Sequence, residues 1–122
     1  MQSVLGSTRK MDIVFYRSGR MDITARVARI LSLARGDVID MLVSDREMYM
    51  YVRYRAPLIG RHEATVYPTN KKGKHFRAYS KRLCRFMLCK CGGEQSVSLY
   101  VGKPVCDNCR GTLLPIILRH SL

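Results

Sequence analysis

Acidic residues are scarce in this chain: nine Asp and Glu stand against 22 Lys and Arg in 122 residues, a formal charge of +13 and a sequence pI of about 10.0. So large an excess is costly in self-repulsion unless a polyanion relieves it, and it points to a nucleic-acid partner. Long apolar runs are missing too. Nothing approaches the roughly 20 residues a membrane span needs, and the start carries no signal-peptide pattern. A soluble, cytoplasmic protein with no membrane partner is expected. Catalytic constellations are equally absent: His62, His75 and His120 are scattered, and no Ser-His-acid or paired-carboxylate arrangement is visible. Neither an enzyme nor a cofactor site is expected.

What is present is organised around residues 18–37, SGRMDITARVARILSLARGD. A turn at Ser18-Gly19 leads to a short strand through Met21 and Ile23, a helix opening at Thr24, and a Gly36-Asp37 stop. Thr24 is placed to accept a hydrogen bond from a first-turn backbone N–H, the usual role of an N-cap Thr. Val27, Ile30, Leu31 and Ala34 form one apolar helical stripe, with Arg26 and Arg29 on its flank. Beyond the stop, VIDMLV, SDRE and MYMYVRY read as strand, turn and strand.

These elements, over residues 11–53, resemble the AbrB-like swapped-hairpin DNA-binding family, the transition-state regulators and MazE-type antitoxins. The resemblance rests on Gly19-Arg20, the strand Met21 to Ile23, a helix with Leu31 and Leu33, Gly36-Asp37, and the hairpin around Asp45. The family usually opens its helix with Pro where this chain has Thr24, and both residues pre-organise the same turn. The resemblance implies duplex DNA as the partner, a role as a small transcriptional regulator, and DNA contacts at Arg20 and Arg29 with Arg17 and Arg26 beside them. Arg either holds phosphate or makes a paired hydrogen bond to guanine.

The rest of the chain repeats the order of elements. HFRAYSKRLCRFML matches RMDITARVARILSL as strand, hydroxyl N-cap and helix, with Ser80 for Thr24, Leu83 for Val27 and Arg85 for Arg29. Gly92-Gly93 echoes Gly36, SVSLYV parallels VIDMLV, and TLLPIIL parallels MYMYV. The expected fold is mostly β with two short helices, a swapped-hairpin-like β-barrel built from two β-β-α-β-β repeats in one chain, monomeric or associating to a dimer. Its parts are a flexible arm at 1–10, a first repeat at 11–53, a linker at 54–61, a degenerate second repeat at 62–118 and a tail at 119–122. Pro115, lacking an N–H, is expected at a sheet edge or bulge.

Charge is concentrated in the middle, where residues 53–90 hold eleven Lys and Arg against the single acid Glu63. Lys71, Lys72, Lys74, Arg77, Arg82 and Arg85 are nucleic-acid contact candidates on that density alone, suited to salt-sensitive phosphate binding. Tyr49, Tyr51 and Tyr54 suit either base stacking, which would favour RNA or another single strand, or packing on a strand.

The cysteines support a competing reading, a zinc-ribbon-like interaction module. Cys89, Cys91, Cys106 and Cys109 form CxC, a 14-residue spacer and CxxC, and four thiolates close a tetrahedral zinc site. The repeat argues against it and leaves zinc as the alternative: a strand over 97–101 separates Cys91 from Cys106 by roughly 16 Å. No metal is therefore expected. Cys84, on the apolar flank of the second helix, is expected in the core.

Overall fold

A computed structural model describes residues 11–57, 62–69 and 74–118. Lys71 and Lys72 lie outside the described residues, as do the 1–10 arm, the 119–122 tail and positions 58–61 of the linker. Over the described residues the chain is mostly β with two helices. Its antiparallel nine-stranded sheet curls strongly into a half-barrel.

Strands β1 (Ile13–Tyr16) and β2 (Arg20–Ile23) precede helix α1 (Ala25–Ile30) and the hairpin of β3 (Val38–Ser44) and β4 (Glu47–Tyr54). Then come β5 (Tyr67–Pro68), β6 (Phe76–Tyr79), α2 (Lys81–Cys91), β7 (Ser96–Val101), β8 (Val105–Asp107) and β9 (Gly111–Ile117). The strand order is β3-β4-β9-β7-β1-β2-β6-β5, with β8 attached to β9. Alternation in the short strands explains the curl's interior: Ile13, Phe15, Met21, Ile23 and Ala78 point inward and are fully buried with Met48, Met50, Leu99 and Leu114. The intervening residues form the outer face. The segment before β5 returns to β3 through a Val38–Thr65 bridge, with Ile39 N–H donating to Ala64 O (3.1 Å) and Val66 N–H to Asp37 O (2.8 Å).

The helix ends differ from the sequence expectation. Thr24 is the N-cap of α1, yet its side chain caps nothing, and Oγ1 is buried without a partner. Ser80, its counterpart on α2, does accept the Leu83 N–H, at 3.1 Å. Helix α1 stops at Ile30 instead of running to Ala34. Ser32 takes a left-handed φ of 52°, while Ser32 N–H bonds Arg29 O and Leu33 N–H bonds Ala28 O. That pair of bonds is a Schellman stop. Gly36-Asp37 is a separate turn that anchors β3: the buried Asp37 carboxylate accepts the Ala34 and Ala56 N–H groups and pairs with Arg55 at 3.0 Å. The start of the expected linker is thus tied down.

Pro115 lies on no edge, since β9 runs between β4 and β7. It falls where the neighbours of β9 change: β8 pairs with residues 111–113, and β7 pairs with residues 116 and 117. The missing N–H therefore costs no ladder bond, and Pro115 O still accepts from Gly102 N–H (2.8 Å). Cys84 is fully buried, as its helical position implied, and burial pushes its thiol up to about 11.

Candidate nucleic-acid interface

The β2–β6 pair lies toward the β5 end of the sheet, and its outer face carries charge. Its register sets Arg20 opposite Tyr79 and Asp22 opposite Arg77, while β1 contributes Val14 opposite Asp22 and β5 contributes Tyr67 opposite Arg77. Outward residues on neighbouring strands stand side by side. The Asp22 carboxylate is held from both sides, by Arg77 Nε on Oδ1 at 2.8 Å and by Arg20 Nη2 on Oδ2 at 3.2 Å. Two cations thus share one anion, leaving a net positive centre.

Tyrosines frame it. The Arg20 guanidinium lies 4.2 Å from the Tyr16 ring centroid, a distance at which the ring face attracts a cation. Its bond to Tyr16, opposed by partial desolvation and reinforced by the Asp22 charge, pushes Arg20 above its ordinary range. Tyr67 and Tyr79 stack with centroids 6.4 Å apart and planes inclined by 20°. Desolvation, and then the hydrogen bond with Tyr79, push the Tyr67 phenol up.

Glycine is needed at the turn that delivers Arg20. Gly19 has φ +99°, and a Cβ there would sit 3.0 Å from Lys81 Cγ and 3.3 Å from Lys81 N. Its carbonyl accepts the Ser80 N–H at 2.8 Å, docking the β1–β2 turn on the start of α2.

The other sequence-predicted positions fall into groups. Arg29 and Lys74, both exposed, line one groove with Ala25, Ser32, Leu33 and Phe76. That groove continues through Phe76 and His75 to Asp22 and Arg77, and His75 Nδ1 accepts the Ala25 N–H at 3.2 Å. One surface thus carries Arg20, Arg77, Lys74 and Arg29. Arg17 is exposed in the β1–β2 turn, and Arg85 is exposed on α2. Arg26 is already engaged: its Nη1 bonds both oxygens of buried Asp12 at 3.2 Å, and Asp12 also accepts the Val101 N–H. Arg82 grips Glu63, whose carboxyl is held below the usual range by Arg82 and then Ser80. That pair lines a separate depression under β3 and β4.

Sequence reasoning missed Tyr16, Tyr67, Tyr79 and the shared carboxylate Asp22. Period-two alternation in IVFY, RMDI and FRAY was the available signal, since it turns Tyr16, Arg20, Asp22, Arg77 and Tyr79 to the same side. Of the tyrosines considered, Tyr51 is buried and Tyr49 half-buried, its hydroxyl on Glu47. Tyr54 packs on His62 with centroids 5.1 Å apart. Cys89 and Cys91 lie at the end of α2, and Cys106 and Cys109 lie on and after β8. Among the described residues no three His, Cys, Asp or Glu side chains gather into a metal-binding group. No helix among them is long and apolar enough to cross a membrane. No protein-family model, curated protein or solved structure matches the chain.

Proposed function

We propose that this chain binds duplex DNA through the outer face of β1, β2, β6 and β5, as a small transcriptional regulator. The observation that carries the reading is the sharing of Asp22 by Arg20 and Arg77. One comes from each half of a chain of net charge +13, and both project from the β2–β6 pair. Lys74, Arg29 and Arg17 supply phosphate contacts around that centre, and the two shared arginines address the groove.

The strand pairing supports the finer architecture, two β-β-α-β-β repeats forming a swapped-hairpin-like barrel. Equivalent strands of the two halves pair with each other, β2 with β6 and β4 with β9, as a pseudo-twofold axis requires. Strand β1 lies against β7, and in matching fashion the 64–66 segment lies against the start of β3. Each half thereby covers strands the other leaves open. A lone unit of about forty residues would struggle to bury enough apolar surface.

The stacked Tyr67–Tyr79 pair and Tyr16 favour one second reading, unpaired bases of RNA or single-stranded DNA laid on the aromatic rings. Fluorescence anisotropy at two salt concentrations decides between them. Tighter, salt-sensitive binding of a random duplex, weakened by Arg20→Ala/Arg77→Ala, supports the duplex reading. Preference for a single strand, lost in Tyr67→Ala/Tyr79→Ala, replaces it with the second. Binding to neither removes nucleic acid as the partner of this face.

A further inference from the structure

The β8–β9 hairpin is attached to the rest of the sheet through β9. Its turn is fully specified without cysteine. Asp107 pairs with Gly111 across the hairpin, and the Asp107 carboxylate accepts the N–H groups of Cys109 (3.0 Å) and Arg110 (2.8 Å). Gly111, at φ +79°, closes the loop in the left-handed region that glycine adopts without strain. Cys106 and Cys109 are nevertheless both exposed thiols in this ribbon, although free cysteine is ordinarily among the most buried residue types. Folding has no use for them here.

We propose that Cys106 and Cys109 form half of a zinc site that a second copy of this chain completes. A Cys-x-x-Cys pair in a turn offers two thiolates to one ion, and a structural zinc site closes with four ligands in a tetrahedron, sulfurs about 2.3 Å from the metal. Among the described residues the chain does not supply the other two. Cys89 and Cys91 lie beyond β7 at the end of α2, and among the described residues no third His, Cys, Asp or Glu joins the pair. Two hairpins meeting tip to tip provide all four. Zinc loses its waters, four S–H bonds give way to four Zn–S bonds, and four protons pass to the buffer with no change of oxidation state. The resulting tetrathiolate carries two negative charges. Arg110 follows Cys109 and Lys103 precedes β8 in each copy, and the charge of the centre offsets the repulsion between two strongly basic chains.

The test uses the reduced full-length chain, freed of metal by a chelator and titrated with zinc chloride. Bound metal is read by elemental analysis and mass by sedimentation, with cobalt(II) as a spectroscopic substitute. The expected result is one zinc per two chains, a doubling of mass reversed by chelator, and the intense thiolate-to-cobalt absorption of a four-sulfur tetrahedral site. Cys106→Ser/Cys109→Ser loses all three, and Cys89→Ser/Cys91→Ser keeps them. One zinc per chain at unchanged mass overturns the proposal, as does loss of binding in the Cys89/Cys91 variant. Absence of any zinc-dependent change in the native chain overturns it equally.

Discussion

Asp22 and Arg77 face each other across the β2–β6 pair, with Arg77 Nε 2.8 Å from Asp22 Oδ1, although one belongs to the first half of the chain and the other to the second. The pairing of two short strands made that contact. It has energetic consequences on both the folded chain and the proposed interface.

Asp22→Asn leaves the outer face in shape and removes its central negative charge. The expected outcome is severalfold tighter duplex binding at low salt, with stability lower by about 1 kcal/mol or less because all three groups are partly exposed. Arg20→Ala and Arg77→Ala each weaken binding and lower the salt slope by about 1, the contribution of one phosphate contact. Anisotropy titrations over a salt series check both statements. A native salt slope retained in the two arginine variants would move the interface elsewhere.

Asp12 is buried and takes two bonds from Arg26 and one from the Val101 N–H. Arg26→Ala removes two hydrogen bonds from that buried carboxylate, and because the guanidinium is itself 41% exposed a loss of about 1 kcal/mol is expected. Urea denaturation measures it. Arg29→Ala, on an exposed helix position, changes stability by about 0.5 kcal/mol or less, which separates a structural arginine from a surface one.

The two helix starts respond in opposite directions to loss of a hydroxyl. Ser80→Ala removes a working cap and is expected to cost about 1 kcal/mol. Thr24→Val replaces a buried, unpartnered Oγ1 with a methyl group of the same shape and is expected to stabilise by about 1 kcal/mol. Ser32→Gly relieves the left-handed conformation at the end of α1 and adds a similar gain. Thermal melts of the three variants order them as Ser80→Ala below the native chain, with the other two above it.

Glu63 gives the fold an acid-sensitive joint. Arg82 and then Ser80 hold its folded-state pKa below the unfolded value, near 4.3 for a free Glu. The stability it contributes is therefore fully present above the unfolded value and lost as pH falls through the folded one. The effect is small, because the side chain is about a third exposed and the pair is screened. Melting temperatures of the native chain and Glu63→Gln should converge as pH falls below the ordinary Glu value and through the lowered folded-state one. Parallel curves would show that the pair contributes nothing to stability.

Local signals in the sequence located most elements. Alternation and turn residues marked β2, β6 and β7, the hydroxyl at Ser80 and the glycines after Cys91 bounded α2, and the apolar stripe put Val27, Leu31 and Cys84 inside. The end of α1 was misplaced because a Schellman stop on Ser32 leaves no glycine to see, and the nearest glycine, Gly36, belongs to the next turn. Strand β8 went unseen because CDNCRG reads as readily as a metal knuckle as it does a hairpin turn.

The sequence alone determined the charge, the strand faces and the order of elements, because these follow from residue type and from periodicities of two and 3.6. Only the tertiary structure decided which faces meet. Strand pairing brought Arg77 to Arg20 and Tyr67 to Tyr79, assigned Arg26 to Asp12 and Arg82 to Glu63, and kept the two cysteine pairs apart. Those outcomes depend on contacts between distant segments, and neither composition nor local pattern encodes which distant partner a side chain finds.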